Sequence, residues 1–301
     1  MTKYLISIIG PTAIGKTKLA IAIANHFNTE IISADSRQFY KEMQIGTAVP
    51  SVEELNQAKH HFIQQISISD NFNVGDFERK AIQKISSLHQ DHDIVIMVGG
   101  SGLYVKAVCE GLDEFPNVDP QIRIGLNKTL KTKGITALQS QLKHLDLKTY
   151  QTIALENPQR VIRALEVCIS SGKPYSHFLN TKTKKRNFKT ITVGLTAERS
   201  IIYDRINQRV DQMIIQGLVE EVRSLLKFKH LNSLKTVGYT ELFKYLENEW
   251  SLEMAVLEIK KNTRRFAKRQ LTWFKKDKSI LWFDYQSDIK VILNDIKSRL
   301  N

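Results

Sequence analysis

Short apolar runs alternate along the chain with longer stretches of helical spacing. Residues 3–9 form an apolar run with the length of a buried strand. Residues 17–27 place Leu19, Ala20, Ile23, Ala24 and Phe27 on one face of a predicted helix. Residues 30–34 predict a second short strand, ending at Asp35. Residues 93–98 predict a third, whose run Ile94-Val95-Ile96-Met97-Val98 suits a strand covered on both faces, ending at Gly99-Gly100. Residues 189–195 and 279–283 predict two more. Strands alternating with helices predict an α/β fold with a parallel sheet.

The middle of the chain differs. After Phe115-Pro116 the strand signals stop until about Lys189, and residues 121–131, 135–143 and 158–170 have helical patterns. This predicts a helical insertion domain over residues 116–189, set into a core made of residues 1–115 and 190–301. The end of the insertion, residues 177–189, holds Lys182, Lys184, Lys185, Arg186 and Lys189 without an acid, and predicts a flexible basic loop. From residue 201 to about 274 the pattern is helical again and ends heavily basic.

Composition sharpens this picture. The 301 residues carry a net charge of +13, which points to an acidic partner, nucleic acid before membrane surface, or simply to a basic soluble enzyme. No stretch approaches the ~20 apolar residues of a membrane span. The apolar start Tyr4-Leu5-Ile6-Ser7-Ile8-Ile9 is too short for a signal-peptide core, so a cytoplasmic protein is expected. Cys109 and Cys168 have no paired spacing and are read as core residues. His60-His61 has no second cluster and is read as structural.

The chemistry enters at Gly10, Pro11, Thr12, Ala13, Ile14, Gly15, Lys16 and Thr17. This segment fits G-x-x-x-x-G-K-[ST] between a predicted strand and a predicted helix, the context a phosphate-binding P-loop requires. Backbone amides and the helix N-terminus would cradle a diphosphate or triphosphate, Lys16 would add a charge, and the Thr17 hydroxyl suits Mg²⁺. The third strand ends at Gly99-Gly100-Ser101 without the acid of an ordinary ATPase. Asp35 lies at the strand edge where open α/β sheets bind ligands, beside the P-loop. It reads as a general base for an incoming nucleophile, or as an Asx-type turn or helix cap.

Five motifs then stand in order: GPTAIGKT at residues 10–17, DSRQ at 35–38, GGSGLY at 99–104, NPQRVIRALE at 157–166 and TRRFAKRQLTWF at 263–274. Together they resemble the bacterial tRNA dimethylallyltransferases (tRNA isopentenyltransferases) over nearly the whole chain. The resemblance implies a P-loop NTPase-like parallel-sheet core with a helical insertion domain and a helical basic C-terminal region. It implies that dimethylallyl diphosphate donates its five-carbon group to the N6 amine of adenosine 37, next to the anticodon, in tRNAs reading codons that begin with U. Mg²⁺ is the implied cofactor and the anticodon stem-loop of tRNA the implied partner; a monomer is the simplest assembly. Ser101 stands where the family usually has Thr, keeping the hydroxyl.

By the same resemblance, Arg209 of the segment Arg205-Ile206-Asn207-Gln208-Arg209 is the second cation on the diphosphate. The tRNA-contacting positions are Asp35, Ser36, Arg37, Gln38, Ser101, Arg123, Gln159, Arg160, Val161, Ile162 and Arg163. Lys260, Lys261, Arg264, Arg265, Lys268, Arg269, Lys275, Lys276 and Lys278 form a basic segment suited to tRNA phosphates, with Phe266, Leu271, Trp273 and Phe274 expected mostly in the core. Two other readings share the P-loop: a small-molecule kinase with a helical lid, and an RNA-binding module with a decayed nucleotide site.

Overall fold

The computed structural model describes residues 2–179 and 184–300. The chain separates into two compact units, Met1–Glu110 with Lys185–Asn301, and Gly111–Lys184. The insertion therefore leaves the core at Gly111, ahead of the expected residue 116. Lys189, placed at the end of the insertion, begins the strand expected over residues 189–195 and belongs to the core, where its amide donates to the Lys3 carbonyl at 2.9 Å.

In the first unit, six strands form one parallel sheet: β1 (Tyr4–Ile9), β2 (Ile31–Ser33), β3 (His60–His61), β4 (Ile94–Val98), β5 (Lys189–Thr196) and β6 (Leu281–Asp284). Their order across the sheet is β3-β2-β4-β1-β5-β6. The central strand β1 is buried at every position, as its unbroken apolar run demands. Consecutive strands diverge to opposite sides of β1, so the crevice above its C-terminal end is the place where such sheets bind ligands.

Helix α1 (Lys16–His26) leaves β1 through the glycine-rich turn, with Ala20, Ile21, Ile23 and Ala24 buried against β1 and its neighbours. The opposite face carries α3 (Val74–Asp91) and α4 (Gly102–Glu110) over Phe39, Phe77, Val105 and Val108. Neither α3 nor the short α2 (Val52–Gln57) was anticipated from the sequence. The chain from residue 201 to 274 divides into α8 (Arg199–Ile215), α9 (Leu218–Ser224), α10 (Tyr239–Leu246) and α11 (Leu252–Phe274), and α12 (Ile289–Lys297) follows β6.

The second unit is helical, as its sequence predicts. It comprises α5 (Pro120–Leu145), α6 (Leu147–Thr152) and α7 (Pro158–Ser171) around Leu126, Leu138, Leu142, Val161, Ile162, Ala164 and Leu165. At Gly134 α5 breaks, with φ +74, which explains the two separate helical patterns in this stretch. Lys182 of the expected basic loop lies outside the described residues. Lys184 pairs with Glu114 at 3.1 Å. Arg186 departs from the reading of a free basic loop: it is partly buried and tethered, bonded to Glu78 at 2.7 Å and to the Ala107 carbonyl at 2.6 Å.

One carboxylate outside all the motifs organises the loop after β2. Glu221 on α9 accepts the amides of Gln44, Ile45 and Gly46 at 2.7–3.0 Å, and the Tyr239 hydroxyl at 2.6 Å. Burial, then the Glu221 carboxylate that takes its proton in a hydrogen bond, raises the Tyr239 hydroxyl far above its usual range. Glu221→Ala is expected to lower unfolding free energy by about 2 kcal/mol, because three amides lose a charged acceptor. Urea denaturation would read this as a lower midpoint at unchanged slope.

Candidate active site

The P-loop is built by backbone conformation. Gly10 takes φ +147, and a Cβ there would lie 2.6 Å from the Leu195 carbonyl oxygen, so a side chain is excluded. Ala13 at φ +64 and Gly15 at φ +106 turn the chain so that α1 begins at Lys16. Pro11 and Ile14 are buried, so Ile14 can offer a phosphate only its backbone amide, and Pro11, which has no N–H, offers none. The Lys16 ammonium donates to the Pro11 carbonyl at 2.7 Å, folding the side chain back over the loop.

Thr12, Ala13, Gly15, Lys16 and Thr17 line a cavity of about 540 Å³ with Asp35, Arg205 and Arg209. Burial pushes the Lys16 ammonium down to about 8; Asp35 opposes that shift and Arg209 adds to it. Burial also lowers Arg209 below the usual guanidinium value, with Asp35 and Glu54 pulling the other way. Lys16, Lys18, Arg205 and Arg209 thus share one space with two carboxylates, Asp35 and Glu54. Arg209, inferred from resemblance, lies there as expected. Arg205 joins it, donating from Nε to the Ala13 carbonyl at 2.8 Å while its guanidinium lies over the Tyr285 ring at 5.1 Å. The signal for Arg205 was in the sequence, since residues four apart share a helix face.

The turn reading of Asp35 is the one visible in the structure. Its Oδ1 accepts the Arg37 amide at 3.0 Å, an Asx-type turn, while the residue lines the cavity opposite Lys16. The turn holds the carboxylate in position, and Phe39 fixes the loop below, stacked on Phe77 at 5.2 Å between ring centres. Ser101 accepts the Ser36 amide at 3.1 Å and donates to the Ser36 hydroxyl at 3.2 Å. The Ser101 hydroxyl therefore ties the tip of β4 to the Asp35 loop.

The next two residues of DSRQ are committed within the protein. The Arg37 guanidinium donates to the carbonyls of Ser233 at 2.8 Å and Asn232 at 3.2 Å. Gln38 accepts from the Ser33 hydroxyl at 3.1 Å and donates to the Thr47 and Ala48 carbonyls at 3.2 and 2.9 Å. Both side chains shape the loops around Asp35 by these bonds.

In the helical unit, Val161 and Ile162 are fully buried. This corrects their assignment as contacts: at helical spacing they fall on the core face of α7, leaving Gln159 and Arg160 exposed and Arg163 half-buried. Arg123 forms a two-pronged ion pair with the buried Glu166, and Arg163 reaches the same carboxylate at 3.6 Å while lying over the Phe115 ring.

The basic segment divides. Lys260 pairs with Asp211, Lys261 with Glu258, and Arg264 donates to Asn207. Arg265, Lys268, Arg269, Lys275, Lys276 and Lys278 are exposed. Phe274 is buried as expected, but Phe266 and Trp273 are 38% and 40% exposed, which corrects their placement in the core. Arg269 lies over the Phe266 ring, so cation and aromatic share the surface. His60 and His61 form the edge strand β3, where His61 meets Glu30 at 2.5 Å and His60 bonds the Ala58 carbonyl at 2.8 Å.

Comparison with known proteins agrees with this arrangement. A family model described as IPP transferase matches residues 38–277. A tRNA dimethylallyltransferase of Christiangramia forsetii is 60% identical over 100% of both chains, and one of Flavobacterium johnsoniae is 57% identical over 99% of this chain and 98% of its own. The crystal structure of a tRNA isopentenylpyrophosphate transferase from Bacillus halodurans superposes with a TM-score of 0.72 at 38% identity, over 98% of this chain and 96% of that one. A eukaryotic dimethylallyltransferase shares the fold, with a TM-score of 0.80 at 24% identity over 99% of this chain and 77% of its own. With the matched segment spanning most of its length and full-length relatives above half identity, the chain belongs to the IPP transferase family.

Proposed function

We propose that the protein transfers the dimethylallyl group of dimethylallyl diphosphate to the N6 amine of adenosine 37 in tRNAs reading codons that begin with U. The observation that carries this reading is the shared cavity: Asp35, the carboxylate whose charge acts on Lys16, lines the same space as Lys16, Arg205 and Arg209, with Glu54 a second carboxylate in the lining. A base and a leaving-group site face each other across the space where a small electrophile would sit. The relatives' names supply the chemistry, and the exposed cations of α11 supply a surface for the phosphates of an anticodon stem-loop.

The adenine amine is a weak nucleophile because its lone pair is delocalised into the ring. An unstacked adenosine reaches the cavity, and Asp35 accepts and orients its N–H. The N6–carbon bond forms as the allylic carbon–oxygen bond breaks, and the departing diphosphate keeps that bond's electron pair. The amine's proton passes to Asp35 and then to water. Lys16, Arg205, Arg209 and the P-loop amides meet the charge that builds on the leaving oxygen.

Mg²⁺ fits this donor set. Such ions are commonly held by one or two protein oxygens together with phosphates and water, and the Thr17 hydroxyl lines the cavity at the start of α1. Among the described residues no group of three or more His, Cys, Asp or Glu offers a self-sufficient cage. Bound with the diphosphate at Thr17, the ion would supply counter-charge for the leaving group.

Among the described residues no helix is long and apolar enough to cross a membrane; a cytoplasmic place of action is part of the proposed reading. A monomer clamping one tRNA is the simplest assembly. The test is incubation with radiolabelled dimethylallyl diphosphate and unmodified tRNA. Label recovered in adenosine next to the anticodon supports the reading. ATP hydrolysis without label transfer would replace it with a kinase.

A further inference from the structure

Gln270 is buried on the inner face of α11 among exposed cations, and its carboxamide spans two segments of the cavity rim. Its Oε1 accepts the Thr12 amide of the P-loop at 2.9 Å, and its Nε2 donates to the Gly100 carbonyl beyond the tip of β4 at 2.9 Å. The fit is close: a Cβ on Gly100 would lie 2.2 Å from Nε2. The same tip holds the Asp35 loop, through the Ala34 amide on the Val98 carbonyl at 2.7 Å and the Ser36 amide on Ser101 at 3.1 Å. One path of hydrogen bonds therefore runs from the phosphate cradle through Gln270 to the base.

We propose that Gln270 is a positioning residue that sets the separation between the diphosphate cradle and Asp35. Gln270 does not itself line the cavity. A glutamine is suited to the task because one planar group offers an acceptor and a donor at fixed spacing. Buried and satisfied at both ends, it resists rotation, since losing either bond would strand a buried polar group. Displacements of about 1 Å between reacting groups can cost 10²-fold in rate, so the expected signature is a loss in kcat with KM largely kept.

This role in turnover rests on the proposed transfer reaction, whereas the latch itself does not. Two variants test both. Gln270→Met keeps the length of the side chain and removes both hydrogen bonds. Gly100→Ala leaves Gln270 in place and pushes its carboxamide aside. Amide hydrogen exchange at Thr12 reads the latch, and single-turnover transfer to tRNA reads the positioning. Each variant is expected to expose the Thr12 amide to exchange and to lower the transfer rate about 30-fold, with KM for dimethylallyl diphosphate within about threefold. The double variant is expected to be no slower than the worse single one, because both remove the same link.

Undiminished protection of Thr12 in a folded variant would overturn the latch. Exposure of Thr12 with an unchanged rate would overturn the positioning role, as would a loss confined to KM. Should Gln270→Met fail to fold, Gly100→Ala decides the same questions. If the unaltered protein transfers no label, the proposed reaction falls, and the exchange measurement still decides the latch.

Discussion

Asp35→Asn is expected to lower the rate of prenyl transfer by about 10²–10⁴, the contribution of a well-placed general base. Asparagine keeps an oxygen for the Arg37 amide, so the turn at 3.0 Å survives and the loop stays in place. What disappears is the capacity to take a proton from the amine. The change should therefore fall on kcat, leaving tRNA affinity within about twofold in a filter-binding or fluorescence titration. Lost tRNA binding in a folded variant would make Asp35 a recognition residue instead. A rate within threefold of the parent would remove it from the chemistry.

Lys16→Met is expected to cost about 10²–10³ in turnover, the usual penalty for deleting one donor aimed at developing negative charge. Titration of the parent adds a second signature. Lys16 is pushed down to about 8, so the free protein carries this charge below that pH and loses it above. An arriving diphosphate favours the charged form and raises the value again. Above pH 8, binding of inorganic pyrophosphate should therefore take up a proton, and affinity should weaken as pH rises. Calorimetry in buffers of different ionisation enthalpy measures the uptake. In Lys16→Met both the uptake and this part of the pH dependence should vanish.

Much of this architecture is legible in the chain because local signals and the final fold agree. The apolar runs at β1 and β4 have the length and composition of strands covered on both faces, and the glycines at 10 and 15 announce a turn, where a side chain would clash at 10 and strain the positive φ at 15. Helix α3 was equally readable, with Asn73 and Asp76 forming a capping box and Phe77, Ala81, Ile85 and Leu88 an apolar stripe. Strand β3 was not: two histidines give no alternation to recognise, and only pairing with β2 makes them a strand.

The roles of polar residues were the hardest to read. Arg37 has the composition of a nucleic-acid contact, yet its partners lie 195 residues away or more, where no local pattern can reveal them. Val161 and Ile162 lay within a tRNA-contacting motif, although their helical phase already placed them on the apolar side of α7. Gln270 offered a subtler sign. It occupies a core position of α11 between Ala267 and Phe274, and an amide at such a place must find partners inside the protein.

The amides at 44–46 form a concavity of the kind that captures small anions, yet Glu221 already closes it. The polypeptide thus carries its own competitor for any free phosphate that would otherwise settle there. On the proposed reaction, a diphosphate entering near Lys16 would meet no rival at these amides, because an internal carboxylate already occupies them.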